Sequence, residues 1–188
     1  MTIKGFFFDL DGTLVDTHEA NYLAYRHAVK LIKSVILGDD LKMMIKSGEN
    51  SNSFLSKLLP DSNNKEIARI NSKKKELYPQ YLNTSELNDY LLTFLTQMSE
   101  HYIIVLVTTA KRDNALAVLK QHNLEKFFSF MIFGDDVTHM KPHPEAYNLA
   151  LEKSGLSPDE VVAFEDSNKG ISAAEAAGIS TIHIRNFL

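Results

Sequence analysis

The chain has 188 residues, 44% of them hydrophobic, and a formal net charge of −4 at pH 7. This length is enough for one well-packed core with a small additional domain. The mildly negative charge argues against a nucleic-acid partner, and the lack of cysteine excludes disulfides, thiolate zinc sites and cysteine nucleophiles. Because we find neither a signal-peptide pattern nor an apolar stretch of membrane-spanning length, we expect a soluble, cytoplasmic protein.

The first predicted element is a short apolar strand that ends at two carboxylates. Residues 6–8 are all phenylalanine, and Asp9 and Asp11 follow them, separated by one residue. A fully apolar run predicts a strand buried on both faces, as in a parallel sheet, and Gly12 allows the chain to turn after it. Ligands bind at the carboxyl ends of such strands, and two carboxylates this close favour a bound cation or a shared proton.

The next segment, residues 16–83, predicts several consecutive helices without a convincing strand. Thr17 can cap the first of these helices, and Ser62 or Asn63 can cap the last, which Pro79 should kink or end. Between them we predict a short helix at residues 41–45, a polar loop at residues 47–52 and a short helix at residues 54–59. Because the block directly follows the first strand, we expect it to lie over the carboxylate end of that strand like a lid.

The remaining segment alternates between helices and strands with short connections, which predicts a parallel α/β sheet. The predicted strands are residues 103–107, 130–133, 161–164 and 181–184, and the predicted helices are residues 87–98, 114–122, 144–154 and 167–177. We therefore predict an α/β core domain formed by residues 1–15 and 84–188. Residues 16–83 are predicted to form a small helical domain inserted into this core.

Polar residues follow three of these strands. They are Thr108 and Thr109 after the strand at residues 103–107, Lys141 in a loop with two prolines after the strand at residues 130–133, and Glu165 and Asp166 after the strand at residues 161–164. Each group alone has an ordinary structural explanation, since threonines suit turns, lysines are usually solvated and acids often cap helices. Because parallel strands end at the same edge of a sheet, their shared position favours one site together with Asp9 and Asp11.

The order of these segments and their local amino-acid sequences resemble the four motifs of haloacid dehalogenase-like (HAD) phosphohydrolases. The matching strings are Asp-x-Asp-Gly-Thr-Leu-Val-Asp-Thr, Val-Thr-Thr, Lys-Pro-His-Pro and Phe-Glu-Asp-Ser-Asn-Lys-Gly. The resemblance extends over nearly the whole chain and is closest to the subgroup with an α-helical cap after the first motif, which includes phosphoglycolate-phosphatase-like and β-phosphoglucomutase-like proteins. It implies a Rossmann-like, three-layer core with a parallel sheet, an inserted helical cap, and dependence on Mg²⁺.

The resemblance also implies a role for each polar residue. Asp9 would attack phosphorus and form an aspartyl phosphate, and Asp11 would protonate the leaving alcohol and later accept a proton from water. The phosphoryl oxygens would be held by the Thr108 hydroxyl, the Lys141 ammonium and the main-chain N–H groups of Leu10, Asp11 and Thr109. The implied Mg²⁺ ligands are the Asp9 carboxylate, the Asp11 main-chain carbonyl and Asp166, with Glu165 either a ligand or a neighbour of the ligands.

Substrate choice in this family lies largely with the cap. The β-phosphoglucomutase-like branch usually carries an arginine in the cap loop, where this chain has Asn50. We therefore predict a phosphatase of a small phosphorylated metabolite, with Asn50 as a substrate-binding residue. A sugar phosphomutase and a non-catalytic protein that binds a phosphometabolite are the alternatives. We expect a monomer without a nucleic-acid or membrane partner.

Overall fold

The computed structural model describes residues 2–185, and the chain divides into two compact units. One unit contains the chain up to Asp16 and from Glu86 onward, and the other contains Thr17–Ser85. The strands are β1 (Gly5–Phe8), β2 (Val15–Asp16), β3 (Glu86–Leu87), β4 (Ile103–Val107), β5 (Phe130–Ile132), β6 (Val161–Glu165) and β7 (Ser180–His183). The α-helices are α1 (His18–Lys33), α2 (Asp39–Lys46), α3 (Ser51–Leu58), α4 (Asn64–Leu77), α5 (Asp89–Met98), α6 (Arg112–Gln121), α7 (Glu145–Ser154) and α8 (Asn168–Ala176). Within residues 2–185, no helix combines the length and the apolar character needed to cross a membrane.

The first unit is built on a parallel sheet whose five strands lie in the order β5-β4-β1-β6-β7. The central strand is β1, which pairs in parallel with β4 and with β6, so that Phe8 lies opposite Leu106 and Phe164. This register brings the carboxyl ends of β1, β4 and β6 to one edge of the sheet. The predicted parallel α/β sheet is therefore confirmed.

The side chains of β1 point into two apolar layers because successive residues of a strand face opposite sides of the sheet. Phe7 is fully buried in a cluster that includes Tyr147 of α7 and residues of α8. On the other face, Phe8 stacks on Phe164 with ring centroids 4.5 Å apart and lies 6.1 Å from the ring of Phe94 in α5. Burial of a phenylalanine side chain contributes about 1.5–3 kcal/mol. Helices cover both faces of the sheet, in agreement with the three-layer core that the resemblance implied.

The second unit consists of α1 to α4 followed by a 3₁₀ helix at Tyr78–Thr84. A capping box begins α4, because the Asn63 side chain accepts the Glu66 N–H at 3.1 Å and Glu66 Oε2 accepts the Asn63 N–H at 3.0 Å. The helix ends at Leu77, two residues before Pro79, as the proline predicted. Apolar residues from all four helices form the core of this unit.

The structure corrects three local predictions. First, β2 and β3 form an antiparallel pair that the sequence pattern did not predict, because two residues are too few to show a period. Second, Thr17 occupies the N-cap position of α1 but makes no side-chain cap hydrogen bond. Third, the loop predicted at residues 47–52 is shorter, because α3 begins at Ser51.

Candidate active site

Asp9 follows the last residue of β1, and its main chain is fixed by the sheet. The Asp9 N–H donates to the Phe164 carbonyl of β6 at 3.0 Å, so the parallel pairing continues one residue beyond the strand. Leu10 is fully buried, and its carbonyl accepts three N–H groups of the following turn at 3.0–3.3 Å. Asp11 lies partly buried at the start of this turn. The main chain that carries the two carboxylates of the first motif is therefore held by hydrogen bonds.

Gly12 allows this turn to contact the end of β6. Its φ of +89° lies in the left-handed region, which favours glycine. A Cβ atom at this position would lie 2.2 Å from Asp166 Oδ2, so a side chain would overlap the carboxylate. The adjacent Thr13 hydroxyl donates to Asp166 Oδ1 at 3.3 Å. Gly12 and Thr13 together connect the first and fourth motifs.

The Lys141 ammonium joins three strand ends of the sheet. Its Nζ atom donates to Asp9 Oδ1 at 2.7 Å, to the Val107 carbonyl at 2.7 Å and to Glu165 Oε1 at 2.6 Å. All three N–H groups of the ammonium are thus used inside the protein. Because the Lys141 side chain is only 4% exposed, these charge-assisted hydrogen bonds are little screened by water.

Glu165 is fully buried beneath this lysine. Its Oε1 atom also accepts a hydrogen bond from the Tyr147 hydroxyl of α7 at 2.5 Å, whereas Oε2 has no hydrogen-bond partner among the described residues. A Cβ atom at Gly170 would lie 1.8 Å from Oε2. The first turn of α8 can therefore approach Glu165 only because residue 170 has no side chain.

Gly170→Ala is expected to lower the free energy of unfolding by about 1–3 kcal/mol, because the added methyl group overlaps a buried carboxylate. Helix propensity alone would act in the opposite direction, since alanine is the better helix former. Urea denaturation of the purified variant measures the difference.

The matched control is Ser172→Ala, an exposed position on the same helix. Its effect should stay within about 0.5 kcal/mol. If Gly170→Ala were as stable as the wild type, the close contact between α8 and Glu165 would be wrong.

Burial and mutual electrostatic interactions shift the pKa values of the charged groups in this site. Burial raises the pKa of Glu165 to about 7, and the Asp9 carboxylate adds to this shift while Lys141 opposes it. Burial and then Asp9 raise the pKa of Asp166 to about 6. Burial also raises the pKa of Asp9, against the effect of Lys141. For Lys141 itself, burial disfavours the ammonium, but Asp9 and Glu165 outweigh it and raise its pKa. The lysine therefore stays protonated among three carboxylates, and the ionised site carries excess negative charge.

The donor atoms of this site fit a hard divalent cation. Carboxylate oxygens of Asp9, Glu165 and Asp166 lie within 4.8 Å of one another. A set made only of oxygen ligands suits Mg²⁺ better than zinc or copper, which favour nitrogen and sulfur. A divalent cation would also offset the negative charge that Lys141 leaves unbalanced. The residues present are thus compatible with the Mg²⁺ dependence that the resemblance implied.

The other predicted site residues lie in two places. Thr108 and Thr109 follow β4, on the sheet edge that carries Asp9. Thr108 is buried and its Oγ1 accepts the Ala110 N–H at 3.0 Å, whereas Thr109 is exposed. Asn50 belongs to the helical unit, where it caps α3 by accepting the N–H two residues later at 2.9 Å. The roles of these three residues in binding phosphate or substrate stay predictions.

Two polar contacts of the site were not predicted from the sequence. Thr13 lies within the first motif, and its position beside two acids was the only available signal for its contact with Asp166. Tyr147 is part of a predicted helix, and nothing in the local sequence indicated that its hydroxyl reaches Glu165. Such a contact depends on how α7 packs on the sheet.

Comparison with known proteins identifies the family of this chain. The family model described as haloacid dehalogenase-like hydrolase matches residues 6–184. A phosphorylated carbohydrates phosphatase from Thermotoga maritima is 33% identical over 179 residues, covering 94% of this chain and 82% of the relative. A phosphoglycolate phosphatase from Photorhabdus laumondii is 28% identical over 182 residues, covering 94% of this chain and 77% of the relative.

Among solved structures, CbbY from Rhodobacter sphaeroides in complex with phosphate has the same fold, with a TM-score of 0.85. It is 24% identical to this chain, and the match covers 99% of this chain and 88% of that protein. The family-model match spans the segments that contain all four motifs. The chain therefore belongs to the haloacid dehalogenase-like hydrolase family, in the subgroup of phosphoglycolate-phosphatase-like and β-phosphoglucomutase-like proteins, and is a phosphohydrolase.

Proposed function

We propose that this chain is a Mg²⁺-dependent phosphatase that hydrolyses a small phosphorylated metabolite through an aspartyl phosphate at Asp9. The observation that carries the proposal is the buried Asp9 carboxylate, held 2.7 Å from the Lys141 ammonium. A phosphomonoester is a dianion, so the site must combine a nucleophile with positive charge. Mg²⁺ held by Asp9, Asp166 and the Asp11 carbonyl would reduce the repulsion between the nucleophile and the phosphate.

The residues divide the reaction into two steps. In the first, an Asp9 oxygen forms a bond to phosphorus while the bond from phosphorus to the alcohol oxygen breaks, and Asp11 gives that oxygen its proton. In the second, Asp11 takes a proton from water, whose oxygen attacks phosphorus and releases Asp9. Lys141 would donate to the phosphoryl oxygens as negative charge builds up on them. The remaining contacts would come from the Thr108 hydroxyl and the N–H groups of Leu10, Asp11 and Thr109.

Glu165 would act through Lys141, and its second oxygen, Oε2, would make it either a metal ligand or a neighbour of the ligands. One of its oxygens already accepts hydrogen bonds from Lys141 and from Tyr147, and the side chain is fully buried. Glu165 would therefore hold Lys141 in position, and Tyr147 would orient Glu165. This makes them positioning residues of the proposed site.

The experiment is a phosphate-release assay over sugar phosphates, phosphoglycolate, nucleotides and an aryl phosphate. The relative from Thermotoga maritima is named for phosphorylated carbohydrates, which favours the sugar phosphates as substrates. We expect release with Mg²⁺, no release after chelation, and recovery when Mg²⁺ is added back. Full activity in the presence of chelator would contradict the metal dependence.

Two other outcomes of this assay would favour the alternatives. Transfer of phosphate between two positions of a sugar, with little net release, would identify a phosphomutase. Stabilisation by a phosphometabolite without any turnover would identify a binding protein. In either case the phosphatase proposal would be wrong.

We propose further that residues 16–83 act as the cap that selects the substrate, with Asn50 as a binding residue. Asn50→Asp keeps an oxygen for the cap of α3 but adds a negative charge. We expect it to raise KM for the best substrate several-fold with little change in kcat, because the added charge repels a phosphorylated ligand in the bound and transition states alike. An unchanged KM would remove Asn50 from the site.

A further inference from the structure

The loop that carries Lys141 also gathers three potential metal ligands on its surface. They are His139, His143 and Glu145, and one ligand atom from each lies within 4.8 Å of the other two. His139 Nδ1 is 2.7 Å from Glu145 Oε2, and His143 Nδ1 is 3.9 Å from the same oxygen. The two imidazole rings lie 4.6 Å apart between centroids. None of the three residues takes part in the reaction proposed above.

The spacing of these atoms suits a tetrahedral transition metal. Zinc–nitrogen and zinc–oxygen bonds of about 2.0–2.1 Å place ligand atoms about 3.3 Å apart around a tetrahedral ion. The two distances to Glu145 Oε2, 2.7 and 3.9 Å, lie on either side of this value, so small side-chain rotations would satisfy both. Two imidazoles with one carboxylate form a donor set that favours zinc-class ions over Mg²⁺.

The main chain already orients the carboxylate of this cluster. Glu145 Oε1 accepts the Thr138 N–H at 2.7 Å, and Oε2 accepts the His139 N–H at 2.9 Å. These two hydrogen bonds fix the orientation of the carboxylate. Hydrogen bonds of this kind to a ligand typically tune its orientation and its affinity for a metal.

Both histidines are accessible to ions from the solvent. The side chains of His139 and His143 are 63% and 53% exposed, so an ion can enter directly and keep water as its fourth ligand. The Glu145 N–H donates to His143 Nδ1 at 3.3 Å, a hydrogen bond long enough for a bound metal to replace it.

We propose that His139, His143 and Glu145 form a binding site for a zinc-class divalent cation on the loop that positions Lys141. The ligands come from both sides of Lys141 in the sequence, so a bound ion would tie the two ends of this segment together. The site is separate in ligand chemistry from the acidic cluster around Asp9, which contains only oxygen donors. Its occupancy is measured by binding, so the proposal stands or falls independently of phosphatase activity.

The test is a calorimetric titration of the full-length chain, without an affinity tag, with Zn²⁺ in the presence of excess Mg²⁺. The Mg²⁺ keeps the acidic cluster occupied and competes poorly for imidazole. We expect one Zn²⁺ per chain in the wild type. His139→Gln and His143→Gln should each weaken binding by about 10–100-fold or more. The control, His101→Gln, removes an exposed imidazole elsewhere and should bind as the wild type does.

A second readout uses Co²⁺ as a spectroscopic substitute for Zn²⁺ under the same conditions. The wild type and His101→Gln should acquire the visible absorption of a four-coordinate site with nitrogen ligands, and both loop variants should lack it. Circular dichroism establishes that each variant is folded. The proposal is overturned if the wild type binds no Zn²⁺ in excess Mg²⁺, or if the folded loop variants bind it as tightly as the wild type.

Discussion

Replacing Asp9 with asparagine is expected to lower phosphate release by about four orders of magnitude or more, because an amide cannot form the covalent phosphoenzyme. The substitution nearly preserves the shape of the side chain. Burial already disfavours a charge at this position, and Lys141 keeps its other partners, Glu165 and the Val107 carbonyl, so the fold should persist. The measurement is turnover of the best substrate at saturating Mg²⁺, together with a thermal melt of the variant.

The control for this experiment is Asp113→Asn. This residue is an exposed aspartate in the first turn of α6 and is not among the residues proposed to act in catalysis, so it tests the same chemical change outside that set. Its turnover should equal that of the wild type. If Asp9→Asn also turned over at the wild-type rate, Asp9 would not be the nucleophile, and the reaction would need another attacking group.

The substitution Lys141→Met is expected to abolish activity and to destabilise the protein by about 3–5 kcal/mol at pH 8, because it leaves buried carboxylates without their cation. Methionine keeps the length of the apolar stem, so the loss reflects mainly the charge. Asp9 and Glu165 both depend on this ammonium for a hydrogen bond. Chemical denaturation with and without the substitution measures the difference in stability.

The pH dependence of this loss separates charge from packing. The pKa of Glu165 is already raised to about 7 and should rise further without the lysine. As the pH falls below that value, Glu165 takes up a proton and the uncompensated charge disappears. The destabilisation should therefore be smaller at pH 6 than at pH 8. A loss that is equal at both pH values would point to packing instead.

A double variant separates the contribution of Glu165 from that of Lys141. Adding Glu165→Gln to Lys141→Met removes one of the stranded charges and should recover part of the lost stability without restoring turnover. The two substitutions are in direct contact, so their effects should not be additive. Additive effects would mean that the ion pair between the two residues contributes little.

The central features of the fold and site could be predicted because they rest on short, strongly constrained patterns. The apolar run of β1 indicated a strand buried on both faces, and both Phe7 and Phe8 are fully buried. The carboxyl ends of parallel strands lie at the same edge of the sheet, so the residues at the ends of β1 and β6 were expected to lie close together. The structure indeed brings Asp9, Lys141 and Glu165 into direct contact.

Other features depend on tertiary packing and leave no local pattern. The hydrogen bond between Tyr147 and Glu165 requires α7 to lie against the end of β6, which only the folded sheet determines. The need for glycine at position 170 arises in the same way, from a helix start placed against a buried carboxylate. The pair β2 and β3 joins residues about seventy positions apart through two residues each, too little for any periodic signal.

The full use of the three Lys141 N–H groups has a consequence for catalysis. In the resting protein they bind Asp9, Glu165 and the Val107 carbonyl, so a phosphoryl oxygen can reach the ammonium only by displacing one of them. Substrate binding at this atom is thus an exchange of partners and adds little ground-state affinity. In the proposed mechanism, transfer of the phosphoryl group to Asp9 would convert its carboxylate into an uncharged acyl group, so that Lys141 could turn to the phosphoryl oxygens. An interaction that strengthens in this way as the reaction proceeds would favour turnover over tight binding of the substrate.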